Sequence, residues 1–237
     1  ANVLATSQVA LEGRRDPGIR TEETNLGNLM ADALRWQADQ NNEAFGVTNP
    51  DVAIQNGGGI RNNNLLPAGP ITELNTFEIA PFSNFVTITE NVPRDQFRQI
   101  LERAVSGAPD AEGRFAQVSG FTFTYDTDGT AQVIDANGNI TVPGTRVVDI
   151  ILDGGTPIVS GGTVVAGADL TVASIDFLAA GGDGYPYMGL PFTRLGNSYQ
   201  QALANYIQAP GGDGGLGGTI TAADYPEGGE GRITELP

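Results

Sequence analysis

Hydrophobic and polar positions along this 237-residue chain change period several times. Residues 3–11 alternate loosely and run into Gly13 and Pro17, which predicts a strand followed by a loop. Between Thr24 and Trp36 the apolar residues Leu26, Leu29, Met30, Ala33 and Leu34 recur at three-and-four spacing, the pattern of an amphipathic helix that begins near Thr24. Residues 51–55 read as a short buried strand. Thr72 with Glu73 and Asn75 is a helix-start signal, residues 79–82 bend at Pro81, and residues 85–90 form a strand. Residues 93–105 predict a further helix, with Pro93 at the first helical position and apolar side chains at 97, 100, 101, 104 and 105.

From Phe115 the pattern turns to β. Runs at 121–125, 131–134, 146–152, 163–165 and 170–175 are separated by Asp, Gly and Asn turns, as in antiparallel hairpins. A last helix is expected over 198–208, then a glycine-rich loop at 211–218. Helices and strands mix without strict alternation and no fixed-period repeat occurs, so the expected class is α+β, one domain over residues 1–237 with mixed, largely antiparallel sheets.

Two apolar runs end in glycine-rich polar segments: Asn56-Gly57-Gly58-Gly59-Ile60-Arg61 and Phe177-Leu178-Ala179-Ala180-Gly181-Gly182-Asp183-Gly184-Tyr185. Consecutive glycines let a ligand approach the backbone closely, and the Arg, Asn, Asp and aromatic side chains beside them can hold a planar anion such as a nucleotide. The glycine triplet is also compatible with a plain turn. It lacks the Gly-Lys-Ser/Thr ending of a P-loop and the spacing of a dinucleotide fingerprint. Phe82, after Pro81, and Phe177 could be core residues or could face a pocket and stack on a ring. Arg20 could be a surface charge or, lying just before a helix amino end, an anion ligand. Asp126–Gly129 and residues 135–139 resemble calcium loops superficially, but without Gly at the sixth position or Glu at the twelfth they read as hairpin turns.

Composition narrows the chemistry. The chain has no Cys, no His and no Lys, so its 12 positive charges are all Arg against 28 carboxylates, a formal net charge of -16. Covalent catalysis by Cys, His or Lys and zinc sites built on His and Cys are excluded, and no metal site is assigned. Any phosphate contact by a positive side chain must come from Arg, a poor acid–base catalyst and a good anion fork. The acidic balance argues against a nucleic-acid duplex or an anionic membrane as partner, and no run approaches the roughly 20 apolar residues that cross a bilayer. The acidic, lysine-free composition suggests a secreted protein, and the start at Ala1 without a charged leader suggests a mature or excised piece.

Arg20 with Glu23-Thr24-Asn25-Leu26-Gly27-Asn28-Leu29, Asn56-Gly57-Gly58-Gly59-Ile60-Arg61, Pro81-Phe82 and Phe177 to Gly184, in this order and spacing, resemble the C-terminal domain of the 5'-nucleotidase family. The resemblance runs from Val3 to Ile233. It implies that Phe82 and Phe177 sandwich the base, that Asn56 bonds its edge, that Asp183 accepts from the ribose hydroxyls and that Arg20 and Arg61 hold phosphate, with Gly57, Gly58 and Gly182 as pocket backbone. It further implies a separate N-terminal metallophosphatase domain as partner, carrying two divalent metal ions and the catalytic motif, and a secreted, periplasmic or cell-surface location. Three positions depart from the pattern: Ala180 stands where members usually carry Asn, Tyr185 where Phe is usual, and Thr24 where some bacterial members have a further Arg.

The expected function is therefore nucleotide binding and substrate selection within a 5'-nucleotidase-type phosphoesterase. Two alternatives stand beside it: a stand-alone nucleotide- or nucleoside-binding module, and a secreted structural domain that keeps the fold without the pocket.

Overall fold

The computed structural model describes residues 2–237 and has the mixed α+β architecture expected. Helix α1 spans Asn25–Phe45, capped by the Thr24 hydroxyl, which accepts from the Gly27 amide at 3.0 Å. It continues nine residues beyond Trp36, because Gln37, Ala38 and Asn42 stay buried after the apolar stripe fades, and it stops at Gly46 with φ 67°. Helices α2 (Glu73–Ile79), α3 (Arg94–Ala104), α4 (Asp176–Ala179) and α5 (Tyr199–Gln208) follow. Pro93 lies one place earlier than expected, as the cap of α3. In α2 and α5 the caps Thr72 and Ser198 form reciprocal boxes with Asn75 and Gln201.

A five-stranded sheet positions the candidate site. Its order is Phe192–Ser198, Phe85–Val92, Leu170–Ile175, Val52–Asn56, Ala116–Ser119; the third and fourth run parallel and the other pairings are antiparallel. Leu170–Ile175 was expected to continue the hairpin series but lies in this sheet, between Phe85–Val92 and Val52–Asn56. Turn signals reveal where a strand ends, not which distant strand it pairs with. The carboxyl ends of Val52–Asn56, Leu170–Ile175 and Phe192–Ser198 and the amino ends of Phe85–Val92 and Ala116–Ser119 all meet at one edge. Carboxyl ends of parallel strands leave a crevice where ligands bind in open sheets.

The second five-stranded sheet is ordered Thr163–Val164, Pro157–Ser160, Val147–Leu152, Phe121–Tyr125, Ile233–Glu235, antiparallel except for the final parallel pair. Phe97 of α3 meets Phe121 of this sheet edge-on at 5.2 Å between centroids. A smaller sheet joins Val3–Ser7 to Gly69–Thr72 and Thr219–Ile220. One buried apolar cluster spans these layers. The loops compared with calcium sites are turns: Asp135 accepts from the Asn137 and Asn139 amides and closes the hairpin of Val133–Ile134 with Ile140–Val142. Among the described residues no helix is long and apolar enough to cross a membrane, and no group of three or more His, Cys, Asp or Glu could hold a metal ion.

Candidate functional site

Every strand of the first sheet feeds the edge described above. Asn56 ends one strand and the glycine triplet follows it as a single 3-10 turn, Gly57–Gly59. Phe177 follows Ile175 in α4, Phe82 precedes Phe85, Gly113 precedes Ala116, and Tyr199 follows Ser198. Arg20, Asn56, Gly58, Arg61, Phe82, Phe177 and Asp183 line one cavity of about 590 Å³, within the range of small-ligand pockets.

The glycines serve close approach of the protein's own backbone. A Cβ at Gly57 would lie 2.2 Å from the Ile19 carbonyl oxygen, and one at Gly58 2.9 Å from that of Gly113. The amides of Gly57 and Gly58 donate to Phe115 and Gly113, both at 2.7 Å, so the turn is stitched to the segment before Ala116. Gly182 lies against Phe177, whose ring would be 2.6 Å from a Cβ placed there. Thus Gly58 lines the cavity, while Gly57 and Gly182 allow Arg20 and Phe177 to reach it.

Phe82 and Phe177 are 45 % and 43 % exposed, which sets them apart from the buried phenylalanines of the core. The Tyr199 hydroxyl, fully buried, donates to the Gly59 carbonyl at 3.1 Å and accepts from the Phe82 amide at 3.2 Å, fixing the bend to the glycine turn. Burial pushes the Tyr199 pKa up to about 12. Next to Phe177 in sequence, Asp176 accepts from the Phe85 amide and pairs with Arg194 at 2.8 Å.

Asp183 has φ 55°, a left-handed conformation that Asp tolerates better than most residues. Its carbonyl accepts from Arg103 Nε at 2.9 Å and its carboxylate accepts from Asn56 Nδ2 at 2.6 Å. A hydrogen bond to a charged group of this kind contributes about 1.5–3 kcal/mol and holds the carboxylate toward the cavity.

The arginines divide sharply. Arg14, Arg35, Arg98, Arg114, Arg194 and Arg232 form ion pairs, and Arg94, Arg103 and Arg146 donate to backbone carbonyls. Arg61 makes one long bond, 3.3 Å to the Gly58 carbonyl, with its guanidinium carbon 5.4 Å from the Phe82 ring centre. Among the described residues the guanidinium groups of Arg15 and Arg20 have no hydrogen-bond partner, and the Nε of each is buried. Burial, then the like charges of Arg15 and Arg61, hold the Arg20 pKa below that of an ordinary arginine, with Asp183 and Glu112 pulling the other way. Arg20 and Arg61 thus line the cavity without an ion pair among the described residues, in a chain that carries 28 acidic residues, and Arg15 acts on Arg20 through its charge from outside that lining.

Arg15 and Tyr199 act on the site from outside its lining, and nothing in the sequence singles out either. Arg15 sits among several arginines with nothing to mark it, and Tyr199 looks like any first-turn aromatic of a helix. The first residues of α1 lie outside the lining of this cavity. Thr24 and Asn25 line a neighbouring cleft of about 790 Å³ with Glu12, Asp16, Glu22 and Glu23, whose charges repel an anion.

The family described as 5'-nucleotidase, C-terminal domain, matches residues 3–189. The chain belongs to this family. A trifunctional nucleotide phosphoesterase, YfkN, of Bacillus subtilis is 33 % identical over 179 residues, covering 76 % of the chain and 11 % of that protein. A 5'-nucleotidase of Vibrio cholerae is 29 % identical over 216 residues, covering 87 % of the chain and 31 % of that protein. The crystal structure of a 5'-nucleotidase precursor from Thermus thermophilus superposes on 99 % of the chain and 39 % of its own, with a TM-score of 0.75 and 29 % identity. This 5'-nucleotidase C-terminal domain therefore spans well under half the length of these relatives.

Proposed function

We propose that this domain binds the nucleoside and 5'-phosphate of a nucleotide and sets the substrate specificity of a 5'-nucleotidase-type phosphoesterase. The observation that carries this reading is the convergence in one cavity of two half-exposed phenylalanines, a pre-oriented carboxylate and arginines without carboxylate partners. Each group suits one part of a nucleotide. Phe82 and Phe177 offer aromatic faces to the base, Asp183 is acceptor-only when ionised and suits a diol, and Arg20 and Arg61 are planar forks for phosphate oxygens. Asn56 holds Asp183 with one amide hydrogen and keeps the other for the ligand. The purely structural alternative leaves those unpaired guanidinium groups without a purpose.

Hydrolysis belongs to the rest of the enzyme. The resemblance assigns two divalent metal ions to an N-terminal metallophosphatase domain, and this chain has no ligand group for them among its described residues. Its part in turnover is binding and orientation. An extracytoplasmic location follows from the same resemblance together with the acidic, lysine-free composition.

Titration calorimetry of the chain with AMP, adenosine and ribose 5-phosphate tests the assignment. AMP is expected to bind most tightly because it alone engages base, sugar and phosphate positions. At about 100 times its dissociation constant it should stabilise the fold by roughly 2.7 kcal/mol. No binding of AMP or adenosine at millimolar concentration overturns the reading.

A further inference from the structure

Behind the cavity two glutamines face each other across the sheet. Gln55 and Gln117 are register partners on Val52–Asn56 and Ala116–Ser119, and both are fully buried. An amide in such a place costs stability unless its bonds are made, so an apolar side chain is the default there.

Each amide is tied to a different end of the pocket. Gln117 donates to the carbonyls of Ile19 at 3.2 Å and Glu22 at 2.8 Å and accepts from the Thr24 amide at 3.2 Å. These bonds bracket Arg20 and fix the loop that carries it. Gln55 donates to Asn56 Oδ1 at 2.9 Å, and Asn56 in turn donates to Asp183. The first contact decides which way the Asn56 amide points. A reversed Asn56 would present oxygen to the Asp183 carboxylate, and with Gln55 donating to its oxygen the NH2 group must face Asp183. Gln55 does this although its own Oε1 is left buried without a partner.

We propose that Gln55 and Gln117 are paired positioning residues: Gln117 acts through the loop of Arg20 on recognition of the phosphate, and Gln55 acts through Asn56 and Asp183 on recognition of the ribose hydroxyls. Because the two are opposed on adjacent strands, one strand pair carries the supports of both the Arg20 loop and the Asp183 carboxylate. This inference rests on the nucleotide reading of the cavity.

Two affinity ratios separate the roles. AMP over adenosine measures the phosphate contribution, and adenosine over 2',3'-dideoxyadenosine measures the hydroxyl contribution. Gln117→Met is expected to lower the first ratio by about tenfold and leave the second unchanged, while Gln55→Met does the reverse, the loss being that of one well-aimed charged contact. Gln117→Asn and Gln55→Asn, which withdraw the amide by one methylene, provide the same comparison if a Met variant does not fold. Unchanged ratios in folded variants, or equal losses for all three ligands, overturn the positioning roles while the wild-type protein still binds. Failure of the wild-type protein to bind AMP or adenosine instead overturns the nucleotide reading and the positioning roles with it.

Discussion

The backbone amide of Phe82 donates to the hydroxyl of Tyr199, 117 residues away in sequence, over 3.2 Å. A half-exposed ring is thereby held by a fully buried side chain, which is how an aromatic stays ready in a cavity without being packed into the core. Tyr199→Phe removes that acceptor and the donor to Gly59. The expected result is a loss of about 1 kcal/mol in thermal stability and a comparable loss in adenosine affinity. If stability falls and adenosine binding does not, Tyr199 does not orient the clamp.

Phe177→Ala isolates the base contact. Removing a stacked aromatic costs nucleic-acid binders about 1–3 kcal/mol per base, and the same range is expected here for adenosine. Because 43 % of the residue is already exposed, the melting temperature should change little. A large drop in melting temperature with unchanged adenosine affinity would return Phe177 to the core.

Turnover by the chain alone is expected to be absent. No His is present, and no cluster of three or more potential metal ligands occurs among the described residues. Release of phosphate from AMP by rigorously purified protein with added divalent metals, abolished by a chelator, would contradict this division of labour.

Legibility in the sequence differed between local and distant features. Helix α3, the helix-start signal of α2 and the helix over 198–208 were readable because period and capping chemistry are local properties. The strand Ala116–Ser119 was not, since Gln117 and Ser119 break the apolar run and only burial against α1 makes those polar side chains interior. The same limit applied to the site. Asn56, Phe82, Phe177 and Asp183 stand in motifs, whereas the charge of Arg15 bears on Arg20 from outside the cavity lining and no motif marks it. Gln55 and Gln117 carry no signal in one dimension, as their significance lies in cross-strand register.

Alkaline titration gives a test of the core. All six tyrosines are buried, and burial raises the pKa of each, with Tyr125, Tyr187, Tyr199 and Tyr206 at about 12. The folded state thus holds these protons more tightly than the unfolded chain, whose tyrosines titrate near 10.0. Their contribution to stability is complete below that pH and is lost as pH rises toward about 12. Phenolate absorbance should therefore lag past pH 10 and rise together with the loss of circular dichroism. A smooth rise centred near 10 in the folded protein would show the phenols to be accessible.

Arg15→Ala should test the proposed anion site through opposite effects on stability and affinity. Arg20 is partly buried, and the like charges of Arg15 and Arg61 act on it against the pull of Asp183 and Glu112. Arg15→Ala removes one repelling charge and no hydrogen bond from its guanidinium, so the empty protein should melt slightly higher. The same change removes attraction for phosphate, and AMP should bind about 1 kcal/mol more weakly while adenosine is unaffected. Arg61→Ala is expected to cost about 1.5–3 kcal/mol for AMP. It should also cost adenosine a smaller amount, about 0.5–1 kcal/mol, because its guanidinium rests on Phe82. Added salt should shrink the AMP effects and spare the adenosine ones. The decisive outcome is the sign pair for Arg15→Ala, a higher melting temperature with weaker AMP binding. Were the melting temperature to fall with AMP affinity unchanged, Arg15 would be a structural residue and the cationic cluster would reduce to Arg20 and Arg61.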